Sequence, residues 1–424
     1  MKKHMWKRAA LLAALGSALC VEYSCTPRTE EAKSTPPGAG AKPTPPSACT
    51  LPSAMAASNE QTAWQLFVAA NCPVNGQLKW ETWTEQACFE NPSTPGCSTT
   101  TESVSAPVRH LHGSRLGQRL RRKNAAAEAV PATPGPCQLM TTALTAPPGS
   151  QPFVPKNLSA QPVFCEEVFV ESSEAAFVKA PSAGSTLTNL TAQVAYAKSS
   201  TIKFPTSAVE IKADWLPATS LSAAFNCTTN PPAGVYVETI SGACYALVGM
   251  HISSKLLPNW LWATFEPQNA DTNPNRCNDK LYNSCNDPFG SDPATSKGQT
   301  TNMTAALTAL MMQAGLPKQL FNYRLVGAQS DIVDSSGAAI QLGNSFTEFN
   351  AGVSPHQASC MTCHAYAMTS TTAIENPNFS NFPRTPPIGR PGEAPLPAPG
   401  GGTWVTQDFS WMLGILPASP PKKN

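Results

Sequence analysis

The sequence predicts an α+β protein, with a β-rich, disulfide-bonded N-terminal region followed by a mainly helical C-terminal segment. Three observations carry this expectation. Strand-like stretches cluster between residues 163 and 265, and Val209-Glu210-Ile211-Lys212-Ala213-Asp214-Trp215 alternates apolar and charged residues with period two. Ten cysteines between Cys49 and Cys285 form an even set, as a disulfide framework requires. Near the C-terminus, Cys360-Met361-Thr362-Cys363-His364 places two thiols about one helical turn apart, directly followed by a histidine.

The chain opens on Lys2, Lys3, Lys7 and Arg8, then a short apolar core from Ala9 to Leu19. This reads as a secretory signal peptide over residues 1–25, too short to stay in a bilayer as a spanning helix. No later stretch approaches the roughly 20 apolar residues of a membrane span. Cys25 follows Ser24, so a lipidated N-terminus and simple secretion both stand, and the only membrane contact expected is through such an anchor. Residues 26–48 are rich in Pro, Thr and Ser and read as a solvated tether.

The folded part, expected over residues 49–300 and 301–424, begins near Cys49. Ser58 with Gln61 forms a capping-box pattern, and Ala63, Leu66, Phe67 and Ala70 fall on one helical face, so a helix ending at Cys72-Pro73 is predicted. Lys79-Trp80-Glu81-Thr82-Trp83 reads as a strand with both tryptophans on its core face. Residues 89–160 turn polar and read as an insertion. Its basic run of Arg109, Arg115, Arg119, Arg121, Arg122 and Lys123 fits a solvated surface better than a docking site for an acidic redox partner or a membrane.

From residue 163 onward the pattern is mostly strand-like. Val235 to Ile252 reads as a hairpin turning at Ser241-Gly242, and Pro258 to Phe265 as an aromatic strand. Asn302 starts a helix closed by Gly315, and Thr406 to Leu416 reads as a final amphipathic helix. Loop closure is cheapest between near neighbours. The expected bridges are therefore Cys88–Cys97, Cys227–Cys244 and Cys277–Cys285, then Cys49–Cys72 and Cys137–Cys165.

With 29 basic and 27 acidic residues, the net charge of +2 points to neither nucleic acid nor an acidic ligand as a partner. The Cys-x-x-Cys-His segment is far more specific. With 14 Cys and 6 His in 424 residues, chance gives about 0.007 matches. The pattern is the attachment signal of a c-type haem, with Cys360 and Cys363 forming thioethers and His364 as proximal iron ligand. A structural zinc site would need four protein ligands, and there is no second CxxC in the chain. One covalent haem c per chain is the expected cofactor. Haem attachment outside the cytoplasm agrees with the cysteine usage, so a periplasmic, cell-envelope or extracellular location is expected.

The haem motif resembles that of monohaem cytochromes c. The wider chain, through Val209 to Trp215, Met250-His251-Ile252, Trp260 to Glu266 and Leu342-Gly343-Asn344-Ser345, resembles a group of exported bacterial cytochrome c family proteins. The resemblance implies a cytochrome c-like haem segment over residues 301–424. It also implies a proline after the haem histidine whose carbonyl orients the ring, and Pro377 is similarly placed. The implied function is one-electron transfer to a redox partner protein. A haem-dependent oxidoreductase acting on a small substrate in the β-rich region is the alternative, and a haem-based sensor or assembly factor is a third. For the sixth iron ligand two residues stand level: Met412, placed like the distal Met of the resembled cytochromes, and His251, which strand parity puts on a face with Tyr245 and Leu247 and opposite Met250.

Overall fold

The structure, a computed structural model, describes residues 47–90, 92–93, 97, 109–112, 137–139, 159, 163–220, 225–268, 286–294, 301–344, 346–348, 358–365, 367–371 and 404–414. The expected signal peptide, nearly all of the tether, Arg115 to Lys123, the pair Cys277 and Cys285, and Pro377 lie outside these.

The fold is α+β and is built on one antiparallel sheet. Its strands are β1 (Thr84–Glu85), β2 (Gln138–Leu139), β3 (Val163–Val170), β4 (Val209–Pro217), β5 (Val237–Ile240), β6 (Ala243–Ser254), β7 (Leu261–Pro267) and β8 (Tyr323–Gln329). The spatial order is β8-β7-β6-β4-β3-β1, with β2 added to β3 and β5 to β6. Because β8 pairs with β7 from Tyr323–Pro267 to Gln329–Trp262, the chain beyond residue 300 completes the same sheet instead of starting a separate body.

The β5–β6 hairpin turns where the sequence places it. Ser241 (φ 51°) and Gly242 (φ 82°) both take positive φ, as a two-residue turn matched to strand twist requires. Its first strand starts at Val237, later than the apolar run suggested.

Each sheet face has its own cover. On one face Val209, Ile211, Ala213 and Trp215 meet Leu247, Met250 and Ile252 in a continuous core. Helix α1 (Asn59–Ala70) and helix α4 (Ala305–Ala314) close this side. The caps are those the sequence announces: Ser58 Oγ accepts the Gln61 N–H at 3.1 Å, and Gly315 takes φ 67° after α4. Trp64 and Phe67 of α1 lie 5.0 and 4.4 Å from Phe265, ring centroid to centroid.

The opposite face carries Glu166, Glu210, Lys212, Asp214, His251, Thr264 and Trp262. Alternation of charge along β4 suits a strand face turned to water, yet Asp214 and Thr264 are fully buried. Residues 342–344, 346–348, 358–365 and 404–413 cover it, with α2 (Ser172–Lys179) and α3 (Leu190–Ala197) beside them.

Strand parity breaks at one residue. Asp214 pairs with Gly249 but Trp215 pairs with Leu247, so Val248 is an extra residue in a β-bulge. Leu247 and Met250 therefore share the apolar face. His251 lies on the other, opposite Lys212 and Thr264, so the expected grouping of His251 with Leu247 is wrong by one residue.

Other differences follow from local bonding. Lys79–Thr82 is a 3-10 turn, not a strand, because the Glu81 carboxylate accepts the Leu78 N–H at 2.9 Å and folds the segment back on itself. Helices α2 and α3 interrupt the region read as strands. Each is started by a polar side chain, Glu171 accepting from the Ser173 N–H and Asn189 from the Ala192 N–H. Arg109 is no surface residue: it is buried with Glu81, Glu167 and Glu238 and lies over the rings of Trp80 and Trp215.

Four bridges join the cysteine pairs that loop closure favours: Cys49–Cys72, Cys88–Cys97, Cys137–Cys165 and Cys227–Cys244. Each closes a short loop and stabilises by about 2–4 kcal/mol in the chain-entropy account. The C-terminal segment is not mainly helical among the described residues. After α4 and β8 it continues with α5 (Cys360–Ala365), a two-stranded ribbon of β9 (Met368–Ser370) with β10 (Trp404–Thr406), and the single turn α6 (Trp411–Gly414).

Candidate functional site

Helix α5 is short, and its neighbours hold it at both ends. At its start Gln329, the last residue of β8, donates from Nε2 to Ser359 Oγ at 3.0 Å and accepts the Met361 N–H at 3.2 Å. Leu342 adds a bridge to Ser359, its N–H donating to the Ala358 carbonyl at 2.9 Å. At its end the Trp411 indole donates to the Cys363 carbonyl at 2.9 Å. Cys360 and Cys363 are the free cysteines among the described residues.

His364 is fixed by a backbone carbonyl. Its Nδ1 lies 2.7 Å from the oxygen of Phe409, so the proton sits on Nδ1 and the Nε2 lone pair is left for another partner. The resemblance implied this orienting role for Pro377, which lies outside the described residues; in the structure the carbonyl at Nδ1 is that of Phe409. The turn that aims it has Asp408 at φ 55° and Phe409 at φ 67°, a conformation costing on the order of 1–3 kcal/mol for each non-glycine residue. Asp408 anchors the turn by accepting from Lys255 Nζ at 2.6 Å and from the Phe204 N–H at 2.7 Å. These demands explain why the predicted helix over 406–416 does not begin until Trp411. The His364 ring also packs on Trp262, centroids 4.2 Å apart. Burial pushes its pKa down to about 3, so the ring is neutral, as a metal ligand must be.

His251 enters from β6. Its Nε2 is buried without a hydrogen-bond partner and lies 3.5 Å from Glu348 Oε1. The ligand atoms of His251, Glu348 and Cys360 all fall within 4.8 Å of one another. Glu348 is placed by the preceding turn, in which Asn344 Nδ2 donates to Thr264 Oγ1 at 2.9 Å and to the Phe265 carbonyl at 3.0 Å, and Oδ1 accepts the Phe346 N–H at 2.9 Å. A Cβ on Gly249 would meet Asn344 Oδ1 at 2.7 Å, so a glycine is required there. Gly249→Ala is expected to cost about 1–3 kcal/mol by overpacking and to displace Glu348. Denaturant unfolding checks the first effect and the absorption spectrum of the site the second.

The site is rich in charge that is buried or half-buried. Lys212 Nζ pairs with Glu166 Oε2 at 2.8 Å. Burial raises Glu210 and Asp214 to about 7 against the pull of Lys212. Burial, then the Glu348 carboxylate, pushes the Cys363 thiol up to about 12 and the Cys360 thiol well above its ordinary range.

The structure thus brings Cys360, Cys363, His364 and His251 together. Met412 is also close, but it is buried in an apolar cluster with Met361, Leu413 and Trp260, the surroundings of a core methionine. Sequence reasoning missed Glu348 and Phe409, which carry no motif. It recognised Trp262 only as part of an aromatic strand.

A haem c fits these residues. Two neutral thiols on one turn suit thioether bonds, which carry no charge into a buried setting already holding Glu348. His364 presents Nε2 from a fixed ring, and His251 Nε2 is a buried polar atom without a hydrogen bond, 3.5 Å from Glu348 Oε1. No family model, no curated protein and no solved structure matches the chain.

Proposed function

We propose that the chain is a c-type cytochrome that transfers single electrons to or from a redox partner protein outside the cytoplasm. The observation that carries this reading is the pairing of two free thiols on one helical turn with a histidine whose Nδ1 is held by the Phe409 carbonyl. When bound, the haem supplies a one-electron ferric/ferrous couple. The protein's residues do the rest. Cys360 and Cys363 would hold the group covalently, and His364 would give its Nε2 while Phe409 fixes the ring and raises its basicity. Trp262 and the cover formed by 404–413 keep water away. His251 is the better sixth ligand, because its Nε2 is buried without a hydrogen bond, a cost that coordination would remove. With a histidine nitrogen offered by both His364 and His251, the site would serve a carrier better than an enzyme. The disulfides fit an oxidising compartment. Attachment to a membrane, if present, would be through an N-terminal lipid.

The test is covalent attachment. Haem should stay with the polypeptide through acid-acetone extraction, and Cys360→Ala with Cys363→Ala should abolish covalent haem. Haem that extracts freely from the unmodified protein would show that no thioether exists. Rapid turnover of hydrogen peroxide or nitrite by the loaded protein would instead favour the oxidoreductase.

One observation favours a second reading, a mononuclear metal held by His251, Glu348 and Cys360. It predicts one tightly held zinc or similar ion per chain and no haem absorption. Metal analysis beside the absorption spectrum separates the two.

A further inference from the structure

We infer that electrons enter the site along a file of four aromatic rings, Trp262, Trp260, Phe204 and Phe177, whose outer end docks an acidic one-electron donor protein. The inference rests on the haem reading above and adds to it an entry route and a class of partner.

The file starts at the proposed iron ligand. The rings of His364 and Trp262 have centroids 4.2 Å apart, Trp262 and Trp260 6.1 Å, Trp260 and Phe204 5.6 Å, and Phe204 and Phe177 4.9 Å. At these separations neighbouring rings are in contact. Tunnelling decays more slowly through packed atoms than across gaps, so an unbroken file is a favoured route.

Trp260 is the residue that packing alone does not explain. It is 1% exposed, its indole N–H has no hydrogen-bond partner, and its backbone sits at φ 64°, a region bulky side chains avoid. A leucine or phenylalanine would fill the space without burying an unpaired N–H, which costs about 1–3 kcal/mol. These costs are borne at the residue that joins Trp262 to Phe204. The same joint is tied to the histidine's support. Lys255 lies 5.8 Å from the Trp260 ring centre and pairs with Asp408, and Asp408 in turn holds the Phe204 N–H and the turn that presents the Phe409 carbonyl. A shift of His364 would therefore be felt along the file.

The outer end has the character of a docking surface. Phe177 is half-buried in α2, two residues from exposed Lys179, and exposed Lys203 adjoins Phe204. Of the acids on α2 and its cap, Glu174 is buried, and Glu171, hydrogen-bonded to Ser172 and Ser173, sits at the N-cap, the opposite end of the helix from Lys179. Positive charge around an aromatic contact suits a donor with an acidic surface, for which charge sets the association rate. In the step itself one electron leaves the donor, which is oxidised by one unit, and ferric iron becomes ferrous. No bond forms or breaks.

The test uses the full-length, haem-loaded protein and two reductants, reduced flavodoxin as an acidic protein probe and dithionite as a small one. Phe177→Leu and Lys179→Glu with Lys203→Glu should each slow reduction by flavodoxin about tenfold at low ionic strength. Both should leave the dithionite rate and the spectrum within about twofold of the parent. Trp260→Leu should slow the limiting electron-transfer rate, and Trp260→Phe, which keeps a ring, should restore it. Parent rates with flavodoxin in the Phe177 and lysine variants would overturn the route and leave the haem reading intact. A parent protein without covalent haem would overturn both, and the extraction assay reveals this before any kinetics.

Discussion

Replacing Arg109 by methionine is expected to destabilise the protein by about 3–5 kcal/mol near pH 8, the usual cost of stripping one partner from a buried ion cluster. The guanidinium donates to Glu81 at 3.0 Å and to Glu238 at 2.5 Å, and makes a two-pronged contact with fully buried Glu167. Trp80 and Trp215 stack on it from 5.4 and 4.9 Å. One cation cannot neutralise three carboxylates. Burial, only partly opposed by Arg109, holds Glu81 up at about 9.

That shift fixes the sign of the pH dependence. A carboxyl whose folded pKa lies above its unfolded value of 4.5 binds more proton in the fold, so its contribution is intact below 4.5 and fades as pH rises toward 9. Without Arg109 the carboxyls rise further and the fade steepens, so the variant should recover much of its stability on acidification from pH 8 to about 5. Guanidinium unfolding at the two pH values measures this. An equal loss at both would mean that cavity formation, not charge, sets the cost. Arg109→Lys should rescue little, because a lysine can neither fork onto Glu167 nor stack between the indoles.

The second large effect is expected at His251. If it is the sixth ligand, His251→Ala opens the iron. The loaded protein should then turn from low-spin to high-spin, bind carbon monoxide where the parent does not, and show a raised reduction potential, since imidazole ligation lowers it. Met412→Ala should leave the spectrum unchanged and cost only core packing, about 2–5 kcal/mol for a buried methionine. A near-infrared thioether-to-iron band that disappears in Met412→Ala would reverse the assignment.

Periodicity and chemistry were legible in the sequence wherever they are local. The caps at Ser58 and Gly315, the turn at Ser241-Gly242 and four nearest-neighbour bridges follow from a few residues each, and all are found. What was hidden depends on distant chain. Val248 bulges only because of its pairing with β4, and that one residue turns His251 from the apolar face to the site. Arg109 looks like its basic neighbours until three acids from Glu81, Glu167 and Glu238 converge on it. Phe409 is an unremarkable aromatic whose backbone oxygen, invisible to any motif, holds the key histidine. The charged side of Val209 to Trp215 has the alternation of a strand facing water, because nothing in it foretells that a segment some 150 residues away will cover it.

The pattern of bridges also gives biosynthesis a timetable. A chain is made from its N-terminus, so the eight cysteines of the four described bridges all emerge before Cys360, and each has a partner within 28 residues. In a chain exported N-terminus first, they can pair off before Cys360 and Cys363 follow, the two cysteines left free among the described residues, which lowers the chance of a wrong exchange. Phe409 and Trp411, which clamp His364 and Cys363, come later still. Until they arrive the helix lacks its latch and its thiols are open to modification, and the last stretch of chain then shuts the door on the finished site.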